Sequence, residues 1–176
     1  MSFLNIEIKA HCKNSSRIRK ILRERHAIFK GEDHQIDTYL NCKNGRLKLR
    51  EGTIENHLIH YQRDDEAGPK KSIVTLYNSQ PGSNLKEILN KALGVLVVVD
   101  KKREIYFIEN IKFHLDIVNE LGTFVEIEAI DKTGEIGQDI LKKLCEEYIE
   151  LFQIQKEDLI NCSYSDMLLQ QKTNNP

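Results

Sequence analysis

The sequence predicts an antiparallel α+β domain whose sheet can close on itself. Three observations carry this reading. Apolar and charged residues alternate with period two through most of the chain, the pattern of half-buried strands. Turn signals join these segments as hairpins, so βαβ units do not organise the sheet. A chain of 176 residues with 40% hydrophobic and 30% charged content suits one globular domain with a real core.

The elements follow in order. Phe3 to Cys12 alternates and reads as a strand. NSSRIRKILRERHAIF reads as a helix, capped by Ser15 or Ser16, with Ile18, Ile21 and Leu22 as its apolar stripe. Gln35 to Cys42 is the next strand, and Asn44-Gly45 is a hairpin turn because both residues tolerate positive φ. GRLKLRE is the return strand. HLIHYQRDD, from His57, is another, closed by the turn residues of DDEAGP, and KKSIVTLYNS follows it. PGSNLKEILNKALG is a short helix, with Ser83 as cap and Gly94 as stop. VLVVVDKKREIYFIE is a strand that turns near Asn110, and IKFHLDIV and GTFVEIEAI flank the turn NELG. GEIGQDILKKLCEEYIELFQI is a long amphipathic helix. Its stripe of Ile140, Leu141, Leu144, Tyr148 and Leu151 covers the sheet and offers a possible homodimer contact. KEDLINCSYSDMLLQ is a final helical segment. One domain over residues 1–170 is expected, with residues 171–176 as a frayed tail.

Composition excludes several classes. Lys and Arg number 26 against 27 Asp and Glu, a net charge of −1, so no global basic field draws nucleic acid or an anionic membrane. The basic strands alternate with aliphatic residues and build no aromatic platform for RNA bases. The longest apolar run, Val95 to Val99, is too short to span a bilayer, and charges interrupt MSFLNIEIKAHCK too early for a signal peptide. Cys12, Cys42, Cys145 and Cys162 form no CxxC pair, which suits reduced thiols and a cytoplasmic location.

The charged faces are sorted by sign. In GRLKLREG, Arg46, Lys48 and Arg50 share one face, opposite Leu47 and Leu49. Lys101 and Arg103 share a face further on. Glu7 and Lys9 share one in NIEIK; Lys112, His114 and Asp116 share one in IKFHLDIV; Glu126 and Glu128 share one in FVEIEA. Arg63 ends its strand near Lys70 and Lys71. A solvated face would mix signs. If the sheet closes, these faces point inward, where unpaired charge is prohibitively costly unless a ligand neutralises it. A polyphosphate with a divalent metal fits: arginines and lysines grip phosphate oxygens, and clustered carboxylates supply hard ligands for Mg²⁺ or Mn²⁺.

At these residues the sequence resembles the CYTH superfamily, the triphosphate tunnel metalloenzymes. The resemblance runs through NIEIK, QIDTYLNCKNGRLKLRE, HYQRDDEAGPKKS, VDKKREIYFIENIKFHLDIV, LGTFVEIEA and KEDLINCSYSDML, nearly the whole chain. It implies a closed antiparallel eight-stranded β-barrel, a triphosphate tunnel, flanked by helices. It implies that Arg46, Lys48, Arg50, Arg63, Lys70, Lys101 and Arg103 bind substrate phosphates. By the same resemblance Glu7, Asp116, Glu126 and Glu128 hold Mg²⁺ or Mn²⁺, and Lys9 matches the Lys of the ExExK signature; crowding by the other cations would fit Lys9 to assist proton transfer. Asn5 stands where the family's ExExK signature has its first Glu.

The resemblance leans toward the class IV adenylyl cyclases, which form cyclic AMP and pyrophosphate from ATP. The alternative is a thiamine or inorganic triphosphatase acting on the terminal phosphate. A second alternative, which Asn5 favours, is a protein that binds a triphosphate without turnover. Each has a triphosphate as its small-molecule partner.

Overall fold

The computed structural model describes residues 2–63 and 68–174, with the backbone alone for Ser2 and Arg63. Eight strands run antiparallel: β1 (Ser2–His11), β2 (Ile28–Leu40), β3 (Arg46–Gly52), β4 (His57–Arg63), β5 (Lys70–Asn78), β6 (Val95–Ile108), β7 (Ile111–Val118) and β8 (Gly122–Asp131). They close into one barrel in the order β1-β5-β4-β3-β2-β6-β7-β8. Closure removes the edges that an open sheet would expose. Four helices flank it: α1 (Ser15–Glu24), α2 (Leu85–Leu93), α3 (Gln138–Phe152) and α4 (Tyr164–Asn174).

The barrel is apolar outside and charged inside along β1, β7 and β8. Ile6, Ile8, Phe113, Leu115, Val125 and Ile127 turn outward and are buried under α1 and α3. Helix α3 meets them with Leu141, Cys145, Tyr148 and Phe152, an i, i+4, i+7, i+11 stripe. Ile140, expected in that stripe, is 55% exposed, because it lies a residue off the buried line. Phe113 packs edge-on against Tyr148 and Phe152 at 4.6 and 5.8 Å between ring centroids. Phe113→Ala is expected to lower unfolding free energy by about 3–5 kcal/mol, measured by urea titration.

Turns set the registers. The Asn44-Gly45 hairpin joins β2 to β3 and pairs Asp37 with Arg50 and Tyr39 with Lys48. Gly45 has φ +70, and a Cβ there would meet the Tyr61 carbonyl at 2.6 Å, so glycine is required. The outer face of β3, Leu47 and Leu49, packs away from the cavity while Lys48 and Arg50 line it.

Several expectations need correction. The expected β2 start at Gln35 is late: the strand begins at Ile28, and its first half is largely exposed with Asp33 as its one buried side chain, so hydrophobic periodicity could not reveal it. Asn14, not Ser15 or Ser16, caps α1 by accepting from the Arg17 amide at 3.0 Å. Helix α2 begins after Asn84 rather than Ser83 and buries no residue. The KEDLINCSYSDMLLQ segment is not one helix. A 3₁₀ turn at Lys156–Asp158 leads through extended backbone to α4, which runs to Asn174 into the stretch expected to fray. Ser163 and Asp166 cap α4 reciprocally: the Asp166 carboxylate accepts from the Ser163 amide at 3.0 Å, and the Asp166 amide donates to Ser163 Oγ at 3.1 Å. The turn residues 64–67 and residues 175–176 lie outside the described residues.

The start of α4 closes one end of the barrel. Tyr164 and Leu168 join Tyr39, Tyr61, Val97, Val99 and Phe124 in a second apolar cluster. No helix among the described residues is long and apolar enough to cross a membrane. Among the described residues, Cys12, Cys42, Cys145 and Cys162 form no disulfide.

Candidate functional site

Inside the barrel, side chains from β1, β3, β6, β7 and β8 converge on a cavity of about 160 Å³. Lys9, Lys48, Arg50, Lys101, Arg103 and Lys112 line it, with Glu7, Glu55, Glu126 and Glu128. His57, His114, Asn5, Ser72, Ser163, Tyr39, Tyr61 and Tyr164 add to the polar lining, and Phe3, Ile59, Val74, Leu76 and Ile130 form an apolar flank.

The cations are not unpartnered, contrary to the sequence expectation. Asp37, fully buried on β2, accepts from Lys48 at 2.9 Å, Arg50 at 2.8 and 2.9 Å, and Lys101 at 2.8 Å. Glu55 accepts from Arg50 at 3.1 Å and Lys112 at 2.6 Å. Four cations thus share two carboxylates, and this wall carries a formal surplus of two positive charges. The opposite wall is the mirror case. Arg103 is bidentate to Asp116 at 2.7 and 2.5 Å and also reaches Glu126 at 2.8 Å, while Lys9 meets Glu126 at 3.1 Å. Glu128 adds a third carboxylate to Asp116 and Glu126, so that among the described residues these three acids exceed the two cations by one, and Glu7 lines the cavity beside them.

The two surpluses perturb one group on each wall. Burial, aided by Arg50, Arg103 and Lys48 and opposed by Asp37, pushes Lys101 down to about 7. Burial, aided by Glu126 and Glu7 and opposed by Lys112, pushes Glu128 up to about 7. Burial would raise Asp37 as well, but Arg50, Lys101 and Lys48 hold it well below the carboxylate range. Burial, with Arg103 and Lys112 close by, pushes His114 down to about 3, so its imidazole is neutral at pH 7.

Lys101 makes a pH-dependent prediction. Its value of about 7 lies below the ordinary 10.5, so the empty wall loses this charge as pH rises through 7. An anion placed beside it favours the protonated form. Binding of inorganic triphosphate at pH 8 is therefore expected to take up a proton, and affinity to fall as pH rises further. Calorimetry in two buffers of different ionisation enthalpy measures the uptake, which Lys101→Met should abolish.

The expected site residues do not all reach the cavity. Arg46 pairs with Asp166 of α4 at 2.9 Å. Lys70, fully buried, donates to the Ile160 carbonyl at 3.0 Å. Both therefore tie down the C-terminal segment. Asp116 accepts from Arg103 and from the Tyr164 hydroxyl at 2.8 Å and is completely buried, so it positions Arg103. The side chain of Arg63 lies outside the described residues. Lys9 sits between Glu126 and the face of Tyr164, 3.7 Å from its centroid.

Sequence reasoning missed Asp37, Glu55 and Asp33. Asp33 accepts from the amides of Ile54 and Glu55 at 2.8 and 3.0 Å, and so folds the β3–β4 turn inward and delivers Glu55. Gly52 permits this approach, since a Cβ there would meet the Asp33 carboxylate at 2.7 Å. The signal was available in QIDTY: Asp37 shares a face with Gln35 and Tyr39.

The residues present fit a divalent metal. His114, Glu126 and Glu128 each offer a ligand atom, all within 4.8 Å of one another. Beside them on β1, Asn5 is 3% exposed and its side-chain carbonyl oxygen has no hydrogen-bond partner among the described residues. Hard oxygen donors around one point, in a wall short of positive charge, are what such an ion needs.

Comparisons with known proteins agree with this geometry. The family model of the CYTH domain matches residues 4–164. The PH1012 protein from Pyrococcus horikoshii OT3 is similar at 24% identity and a TM-score of 0.77, over 92% of this chain and 98% of that one. A conserved hypothetical protein from Pyrococcus furiosus gives 19% and 0.75, over 92% and 98%. A "putative adenylate cyclase" from Vibrio parahaemolyticus gives 19% and 0.71, over 94% and 97%. A search of curated protein sequences gave no match. The closed barrel shared with these structures and the family model spanning residues 4–164 lead to one conclusion: the chain belongs to the CYTH domain family.

Proposed function

We propose that this protein is a metal-dependent enzyme that acts on a triphosphate inside the barrel, converting ATP to cyclic AMP and pyrophosphate in the manner of class IV adenylyl cyclases. The observation that carries the reading is the polarised cavity, with surplus positive charge on the Asp37 wall and surplus negative charge on the Glu126 wall. A metal-bound triphosphate is complementary to both walls at once.

Lys48, Arg50 and Lys101 grip phosphate oxygens, and Asp37 holds their side chains in place beforehand. Arg103, fixed by Asp116, reaches between phosphates and carboxylates. His114, Glu126 and Glu128, with Glu7 beside them, would hold Mg²⁺ or Mn²⁺. A bound divalent ion supplies charge neutralisation on the phosphate oxygens. The apolar flank of Phe3, Ile59, Val74, Leu76 and Ile130 accommodates the organic part of the substrate. In the cyclase reaction the ribose 3′-oxygen attacks the α-phosphorus in line and pyrophosphate leaves. Lys9, on Glu126, is the candidate for proton transfer.

A triphosphatase is the second reading. The Hippeastrum protein HpAC1, which shares the fold at 12% identity and a TM-score of 0.58, is described as having a dominant triphosphatase activity. One experiment separates the readings: incubation with ATP, thiamine triphosphate or inorganic triphosphate, each with Mg²⁺ or Mn²⁺, and mass spectrometry of the products. Cyclic AMP with pyrophosphate is the expected result. Orthophosphate would select the triphosphatase, binding without turnover would leave a carrier, and failure to bind any of the three would overturn the proposal.

A further inference from the structure

We propose that His114 is itself a ligand of the divalent ion, so that the site is a mixed nitrogen and oxygen set that favours Mn²⁺ over Mg²⁺. This rests on the metal-and-triphosphate reading above and goes beyond it in naming the nitrogen ligand and the ion selectivity. His114 Nδ1 hydrogen-bonds Glu126 Oε2 at 3.2 Å and lies 3.6 Å from Glu128 Oε1; with the ring proton on Nε2 instead, Nδ1 presents its lone pair between them. Two ligand atoms bound to one ion at about 2.1 Å lie about 3.0 Å apart in an octahedron and about 3.4 Å apart in a tetrahedron. The spacing on β7 and β8 is therefore close to a coordination edge without any change of backbone.

Two further observations point the same way. The side-chain oxygen of Asn5 is buried and has no hydrogen-bond partner among the described residues. Buried polar atoms are rarely left unsatisfied unless an ion, water or ligand completes them. The first inward polar position of β1 is the neutral Asn5 rather than a carboxylate. The site therefore has less charge to offer and gains more from a nitrogen donor. Imidazole is a poor ligand for Mg²⁺, which demands hard oxygen and keeps its waters, and a better one for transition ions.

Pulsed electron paramagnetic resonance of tag-free protein loaded with Mn²⁺ tests this directly. Nitrogen modulation of the Mn²⁺ echo is expected, and it should change isotope pattern when the protein is labelled with ¹⁵N-histidine. It should persist in His57→Gln, whose parent side chain also lines the cavity, and vanish in His114→Gln and His114→Asn. By calorimetry, the preference for Mn²⁺ over Mg²⁺ should fall about tenfold in the His114 variants. Bound Mn²⁺ without nitrogen modulation, or modulation that survives both His114 variants, would overturn the inference. The labelling measurement needs no variant to fold. Metal-dependent turnover without a nitrogen signal would sink this inference alone. Absence of any Mn²⁺ or Mg²⁺ binding would sink the functional proposal with it.

Discussion

Asp37→Ala is expected to lower folding stability by about 3–5 kcal/mol, the range found when one partner of a buried ion network is removed. The expectation follows from geometry. Asp37 is fully buried, and Lys48, Arg50 and Lys101 all converge on it within 2.8 to 2.9 Å. Without it, three cations remain at the middle of a closed barrel, and only Arg50 keeps a second carboxylate, Glu55. Burial has already driven Lys101 toward neutrality; in the variant nothing opposes that drift. The diagnostic part is rescue. Inorganic triphosphate should raise the thermal midpoint of Asp37→Ala more than that of the parent, because it replaces the missing anion among the same three side chains. Asp37→Asn, which keeps the shape and loses the charge, should fall between. A small stability loss, or equal stabilisation of variant and parent by triphosphate, would contradict the picture of a wall built to receive anions.

Most strands were legible because their faces differ so strongly. On β1, β7 and β8 one side is aliphatic and the other charged, and each side is buried against a different partner: helices outside, substrate cavity inside. Alternation alone locates such strands. It does not reveal which side is the interior, and here the usual rule is reversed. The first half of β2 escaped because IFKGEDH is mostly exposed and aperiodic, with the charged Asp33 as its one buried side chain. Its pairing with the far half of β6, Phe29 to Tyr106 and Asp33 to Arg103, comes from tertiary register rather than local preference. Asp37 escaped for a related reason. Counted along the strand it is one acid among polar residues; only its register against Arg50 shows that it anchors a basic wall. Glu55 arrives from a turn, where spacing says nothing about direction. Arg46 and Lys70 were read with the basic faces they alternate with. Both lie where the C-terminal segment closes the barrel, and that segment provides their partners.

The two late carboxylates should respond to substitution in opposite ways, although the sequence presents them as a pair. Glu126 is committed to the fold. It accepts from Arg103 and Lys9, and His114 lies 3.2 Å away. Burial would raise its proton affinity, but Arg103 and Lys9 hold it well below the carboxylate range, so Glu126→Gln should destabilise the metal-free protein. Glu128 has weaker support: burial, with Glu126 and Glu7 beside it, pushes it up to about 7 against the opposing pull of Lys112 and Arg103. A carboxyl whose folded value lies above its unfolded value weakens the fold once pH exceeds both. At pH 8, metal-free Glu128→Gln should therefore melt no lower than the parent. A divalent ion reverses the comparison. In the parent it offsets the repulsion and should stabilise by about 2.7 kcal/mol at one hundred times its dissociation constant; Glu128→Gln should lose most of that increment. Metal-dependent turnover of the triphosphate should fall at least about 100-fold when Glu126→Gln and Glu128→Gln are combined. Melting curves with and without Mn²⁺, beside initial rates, separate these effects. If Glu128→Gln weakened the metal-free fold and kept the full Mn²⁺ increment, Glu128 would be a structural acid, and the metal would have to be sought elsewhere in the cavity.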